Sequence, residues 1–576
     1  MPAKERWQTV RHLTTLFLVA LGLRLLFFQG CILGDDPNDI GAVQAVLARS
    51  VHFTVHWELR IFLWFFIALA QKVFGVSEGS LFLSTWIFSS SLSLIAYLTM
   101  TRFGYGRSQA FLAGLFVATA PYEVLIGSLH SSDLFLEWFF ALAFLVLFTE
   151  MRSQILHGVL LALILWGAFY NKFWWSFFFG PVVAVYFWGK VRTDHDLKSL
   201  ISCAVSTILL HTATCVFWKT RTGTYFPFVE TVNIGLIPYV IAPADLWRTF
   251  AVYPKMLFQG SEFHTTLFGA VPYLFIGFLV IKGGLALGAG PKVRFDAMDL
   301  WLLLFNGSLC LFINYFPCNF KFDHYYSSTR IFRYLAPISF PLALHTGKLA
   351  VDLACAWNQP CSNRSAFVKS FPGVVFWILL LSMNLGQAAE ATRPGRAYRS
   401  AFLNGLHEIR RMKPPRVVVE CWMSGFWRMH LATSVPLIPV TSFCEPGGEA
   451  RSYEAWIHDK EAIWEPGTAL VTGLGSYVHY GCHHCGPLLR LFLQPLSPRW
   501  TFYKQIRASG LLATTRRRRS MGSSTCFPGS PEATSGWHRW PRTCGGIPKK
   551  VYGRSLLAGP SSLSLLSLLG PDLALR

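Results

Sequence analysis

Residues 13–39 read LTTLFLVALGLRLLFFQGCILGDDPND. Leu13 to Phe28 is an apolar run. At about 1.5 Å rise per residue, a helix of this length goes most of the way across a ~30 Å hydrocarbon core. Lys4, Arg6 and Arg11 precede it, as in a secretory signal peptide. No small-residue cleavage site follows, however, and Arg24 lies inside the run. The run therefore reads as a retained first membrane helix, with Arg24 snorkelling or facing a polar pocket. Just beyond it, Asp35, Asp36 and Asp39 crowd around Pro37, which breaks the helix.

The rest of the chain extends this pattern. Of 576 residues, 53% are hydrophobic, 16% aromatic and 14% charged, against about 25% charged in ordinary soluble proteins. The mean hydropathy is +0.40. A purely soluble enzyme, a disordered chain, collagen, a coiled coil and a small disulfide scaffold are all excluded. Further apolar runs of membrane length lie near 80–100, 108–125, 133–150, 155–171, 173–189, 199–218, 265–288, 299–316, 331–348 and 371–389. With the first run they predict an all-α polytopic membrane protein of about eleven spans, within a range of about nine to thirteen. Residues 57–74 carry Glu58, Arg60 and Lys72 and read as a helix lying along the interface.

The transmembrane part is expected over 1–389, with an outer loop at 30–60. Val417–Val419 and Ala469–Val471 read as short buried strands, which predicts a small extracytoplasmic α/β domain over 390–506. Residues 507–576 hold 11 Lys+Arg against 2 Asp+Glu. This stretch reads as a basic, disordered tail or as translation in a shifted frame.

The net charge is +21. The basic residues sit mostly between apolar segments, which suits cytoplasmic loops and anionic headgroups rather than nucleic acid. With the N-terminus inside, Arg102, Arg107, Arg152, Lys190, Arg192, Lys198, Lys282, Lys292 and Arg294 fall on the inner side. Segments 30–60, 126–132, 219–264 and 317–330 then face out, as does everything after 390.

The chemistry is expected on that outer side. Adjacent carboxylates such as Asp35 and Asp36 repel, so one can hold a proton while the other binds a cation or a hydroxyl. They read equally as an acidic cap of a following helix, Ile40 to Ser50. Asp133 follows Ser131 and Ser132, with Glu137 one turn later on the same helix face. Helix capping is the simpler reading of Asp133, whereas Glu137 lies deeper, where a charge needs a proton or a partner. His52, His56, Glu58 and Arg60 follow the acidic loop, and Lys321, His324, Arg330, Arg333 and Tyr334 flank a later span. Such donors suit a lipid-linked phosphate, or they anchor headgroups. Cys482-His483-His484-Cys485 lacks the second Cys pair of a structural zinc site. No Walker A loop, dinucleotide-binding glycine fingerprint or HExxH signature occurs. The sequence names no cofactor. It permits a divalent cation without requiring one, and it leaves the oligomeric state open.

The order of these features is itself informative. A basic first helix leads to Asp35-Asp36, then His56-Trp57, Phe74-Gly75-Val76-Ser77-Glu78, Asp133 and finally Arg333-Tyr334-Leu335-Ala336-Pro337. This resembles the GT-C class of polytopic glycosyltransferases, and most of all the prokaryotic dolichyl-phosphate-mannose protein mannosyltransferase-like and aminoarabinose-transferase-like proteins. The resemblance is strongest over 10–190, weaker to 350 and absent in the tail.

It implies transfer of a sugar from a polyprenyl-phosphate donor on the non-cytoplasmic face, with membrane lipids as surroundings. Asp35 or Asp36 is then the catalytic acid and Asp133 the second acid. Arg60 and His56 bind the donor phosphate, and Glu58, Glu137, Arg330, Arg333 and Tyr334 complete the substrate site. Pro37-Asn38-Asp39 departs from the family pattern of an acid followed by Arg or Tyr. The rival reading is a multi-span transporter or flippase for a lipid-linked substrate. Transporters often show two similar halves, and no internal repeat is found here.

Overall fold

The computed structural model describes residues 3–30, 36–48, 60–193, 197–226, 239–240, 247, 250–261, 266–288, 294–315, 326–327, 332–358, 366–415 and 417–420, and short strands beyond. The chain forms two compact units, Met1–Arg396 and Ala397–Arg576.

The first unit is helical. Its helices are α1 (Ala3–Leu26), α2 (Asp36–Leu47), α3 (Ile61–Phe74), α4 (Glu78–Arg102), α5 (Arg107–Thr119), α6 (Pro121–Gly127), α7 (Ser132–Leu147) and α8 (Gln154–Asn171). A 3-10 turn, Trp174–Phe179, leads to α9 (Gly180–Thr193) and α10 (Leu197–Thr222). Then come α11 (Val252–Gln259), α12 (Val271–Gly288) and α13 (Ala297–Tyr315), a second 3-10 turn (Phe332–Leu335), α14 (Ala336–Asn358) and α15 (Ala366–Met412), which runs on past the unit boundary at Arg396. Two short strands, β1 (Tyr239–Val240) and β2 (Tyr326–Ser327), pair antiparallel and join the segments expected at 219–264 and 317–330. In the second unit, β3 (Val417–Glu420) lies between β4 (Leu437–Val440) and β5 (Ala469–Val471) in a parallel sheet.

Among the described residues, six helices are long and apolar enough to cross a membrane, or seven if the bent pair α5–α6 is one span. The chain is a multi-pass membrane protein, but the expected count of about eleven is not reached on this measure. The shortfall lies in helices such as α7, with 16 residues, and α14, which carries His345, Lys348 and Asp352. Nor does the last helix stop where its apolar run does, at 389. It continues to Met412, passing through Pro394; Ala388 to Arg393, just ahead of that proline, are mostly good helix formers, with Glu390 and Arg393 paired at 3.6 Å. Lys413 adopts φ 48° after it, and Pro414 and Pro415 prevent resumption.

The expected span 108–125 is broken. Pro121 lacks an N–H, and α5 and α6 meet at 58°. The break leaves carbonyls without helical donors, and Arg24 of α1 supplies one. Arg24, fully buried, donates from Nη1 to the Ala118 carbonyl at 2.5 Å and from Nε to Ser89 Oγ at 3.0 Å. Gln29 Nε2 donates to the Leu125 carbonyl at 3.1 Å and to Ser128 Oγ at 2.6 Å. Arg24 therefore faces a polar pocket and does not snorkel. Helix α8 packs tightly on α10: a Cβ on Gly158 would meet the Ser199 carbonyl oxygen at 2.3 Å.

One end of the bundle is tied by charge. Lys348 Nζ lies 2.5 Å from Asp299, 2.8 Å from Asp352 and 2.9 Å from Asp296. Lys282 Nζ lies 2.6 Å from Asp299 and 2.5 Å from Asp352. Tyr105, in the turn after α4, donates to Asp296 at 2.6 Å and to Asp352 at 3.1 Å. Three acids and two lysines thus join the α4–α5 turn to α12, α13 and α14.

Candidate functional site

The other end gathers around Asp133. Ser131 is extended and caps α7, its Oγ accepting from the Asp133 amide at 3.2 Å. This cap places the Asp133 carboxylate, fully buried, at the positive end of the α7 dipole. Asn171, the last residue of α8, donates from Nδ2 to the Ser132 carbonyl at 2.8 Å. That bond fixes where α8 ends, so Lys172, its C-cap, lands on Asp133. The Lys172 ammonium donates to Asp133 Oδ1, while Arg333 Nε approaches Oδ2 at 3.7 Å.

Aromatic faces enclose the lysine. Its Nζ is 4.0 Å from the centre of the Tyr334 ring and 5.2 Å from that of Trp175, distances at which ring quadrupoles attract a cation. Tyr334 and Trp175 touch at 4.8 Å between centroids. Arg60, just ahead of α3, is buried and close enough to repel Lys172. Burial is the main force lowering the Lys172 ammonium, to about 8. Asp133 opposes it, whereas Arg333 and Arg60 add to it.

Next to this turn lies an apolar groove of about 570 Å3 between α8, α9 and α10. Phe169, Ser176 and Phe177 line it near Lys172, and Val183, Phe187 and Trp188 line it farther along α9. Its lining is mostly apolar.

The structure thus brings together Asp133, Arg333, Tyr334 and Arg60. Glu137 has other partners: its Oε1 accepts from the Phe340 amide at 2.8 Å, and it faces Glu123. Asp36 opens α2, in line with a helix start at the acidic loop. Asp35, His56, Glu58 and Arg330 lie outside the described residues, as does the Cys482–Cys485 cluster.

Lys172 was missed by the sequence reading. Its signal was present: a lone cation in a turn that the charge asymmetry places outside, where lysines are depleted. A second cluster, Asp296, Asp299 and Asp352, has the spacing to hold a metal ion, but Lys282 and Lys348 already lie between its carboxylates.

No family model matches the chain, and no curated protein matches it. Solved structures do. ArnT from Cupriavidus metallidurans bound to undecaprenyl phosphate superposes with a TM-score of 0.54 at 13% identity, over 88% of this chain and 96% of that one. Its apo form gives 0.51 at 13% identity, over 90% and 97%. The chain therefore has the fold of ArnT, in keeping with the GT-C class that its sequence resembles.

Proposed function

We propose that the protein is a glycosyltransferase that moves a sugar from a polyprenyl-phosphate donor to a lipid, glycan or protein acceptor. The reaction takes place on the non-cytoplasmic face of the plasma (inner) membrane. The observation that carries this reading is the Asp133 site: two cations, the partly buried Lys172 and the buried Arg333, converge on one acid beside an apolar groove. A phosphate on an isoprenoid chain needs both features. The fold supports the reading, since ArnT has been seen with undecaprenyl phosphate bound.

In this scheme an acceptor hydroxyl oxygen attacks the anomeric carbon. The bond from that carbon to the phosphate oxygen breaks, and the phosphate leaves with the electron pair. Asp35 or Asp36 takes the hydroxyl proton, a contribution of about 10²–10⁴-fold when the base is well placed. Lys172, Arg333 and Arg60 stabilise the departing phosphate, with His56 and Arg330 as further donors. Asp133 holds Lys172 and Arg333 in register, Tyr334 shields the lysine, and Glu58 contacts the sugar. The groove along α8, α9 and α10 receives the prenyl chain.

The test is to incubate membranes containing the protein with labelled polyprenyl-phosphate sugars and to identify the product. The expected result is label in a new glycoconjugate. Movement of intact donor across the bilayer, without any transfer, overturns the reading in favour of a flippase.

A further inference from the structure

We infer that Tyr122 and Glu137 are positioning residues that clamp the Arg333–Tyr334 turn against Asp133. The inference rests on the proposed function only in assigning a use to that turn.

The turn is short. Phe332–Leu335 is a four-residue 3-10 segment, with few internal hydrogen bonds. It enters α14 at Ala336. Two buried side chains grip it from either side. Tyr122 Oη donates to the Phe332 carbonyl at 2.6 Å, one residue before Arg333. Glu137 Oε1 accepts from the Phe340 amide at 2.8 Å, in the first turns of α14. Both side chains are about 1% exposed, so water does not compete for either bond.

The placement of these two residues makes the grip specific. Glu137 lies one turn below Asp133 on the same face of α7. Helix α7 therefore meets this segment twice, through Asp133 at Arg333 and through Glu137 at Phe340. Two contacts along one helix set the register of this segment. Tyr122 follows Pro121, the residue that breaks the α5–α6 span. Its ring stacks on Phe268 at 4.3 Å with an interplanar angle of 11°, which leaves the hydroxyl one direction to point. The break in that span, capped by Arg24, thus aims Tyr122 at the turn.

The test uses the full-length protein in detergent and three variants: Tyr122→Phe, Glu137→Leu and Glu137→Gln. The glutamine keeps an oxygen acceptor for the Phe340 amide, so it serves as the rescue. Two readouts are taken: amide hydrogen exchange over 332–340 and binding of a C55 polyprenyl phosphate. Tyr122→Phe and Glu137→Leu are expected to speed exchange, and to weaken binding about tenfold, the scale of one lost buried hydrogen bond. Glu137→Gln should match the wild type in both.

Unchanged exchange in Tyr122→Phe and Glu137→Leu overturns the clamp. Faster exchange with unchanged binding overturns its positioning role. If wild-type protein fails to bind polyprenyl phosphate, the donor reading fails, while exchange still decides the clamp by itself.

Discussion

The two ends of the helical bundle solve the same problem in opposite ways. Each buries charge at helix ends, and α14 connects them. It begins just after Arg333 and Tyr334, and Lys348 and Asp352 follow about 20 Å farther along. At the Asp299 end, three acids face two lysines, and His345 Nε2 lies 3.3 Å from Asp299. The two lysines offset all but about one of the three negative charges there, and the small negative remainder does not favour an anionic ligand. At the Asp133 end, one acid faces Lys172 and Arg333, with Arg60 nearby. Among the described residues the cations outnumber the acid there, and aromatic rings and an apolar groove adjoin them. A set of charges that balances itself fastens helices; a set left positive beside a groove is suited to an anion with a hydrocarbon tail.

The comparison is most easily broken by removing one acid at each end. Breaking a buried ion pair costs about 3–5 kcal/mol. At the Asp133 end that energy should appear in the rate, since Lys172 and Arg333 lose the group that orients them. Asp133→Asn is therefore expected to lower transfer by about 10²–10⁴-fold, with the thermal unfolding midpoint changed far less than the rate. At the other end the same energy should appear in stability. Asp299→Ala is expected to lower unfolding free energy by about 3–5 kcal/mol, with transfer per folded molecule intact. A mutant at position 299 that folds normally but cannot transfer would erase the distinction between the two ends.

A smaller effect is expected from Lys172→Met. Loss of a charge-assisted hydrogen bond of about 1.5–3 kcal/mol should weaken polyprenyl-phosphate binding by about 10–100-fold. The pH dependence sharpens the point. The ammonium is lowered to about 8, so it is charged below that pH and loses its proton above it. Phosphate binding should therefore weaken as pH rises through about 8. Lys172→Arg, which stays charged, should flatten that part of the profile. Titration of binding from pH 6 to about 10 in wild type and variant decides this.

Much of this architecture was legible in the sequence, for reasons that also mark where legibility ended. The apolar runs at 80–100, 155–171 and 199–218 became α4, α8 and α10 because an apolar run of that length has few other uses. The break at Pro121 was not read, although the proline stood in plain view; the run on both sides was apolar enough to hide it. Asp133 was singled out as an acid in the first turn of a membrane helix, just after the candidate caps Ser131 and Ser132. Glu137 was assigned by helix face and by the cost of a deeper charge, and neither shows which neighbour fills that face. Its partner, the Phe340 amide, lies about 200 residues away. Lys172 was overlooked because its meaning depends on Asp133 and Tyr334, which are distant in sequence. Hydropathy and spacing report what a residue can do in lipid; its partner is set by packing.

The finest distinction concerns Tyr334, whose ring face lies 4.0 Å from Lys172. Two things differ between its ring and its hydroxyl. The ring attracts the ammonium through its quadrupole, an effect of about 0.5–2 kcal/mol at a partly desolvated site. The hydroxyl would add a hydrogen bond to phosphate. Tyr334→Leu removes both and is expected to weaken polyprenyl-phosphate binding by about 2–30-fold. Tyr334→Phe keeps the ring and should bind nearly as the wild type does if shielding of Lys172 is the residue's role. A phenylalanine variant as weak as the leucine one would assign Tyr334 to the phosphate itself. The aromatic enclosure of Lys172 would then be incidental packing, and the positive excess at this end would rest on Lys172, Arg333 and Arg60 alone.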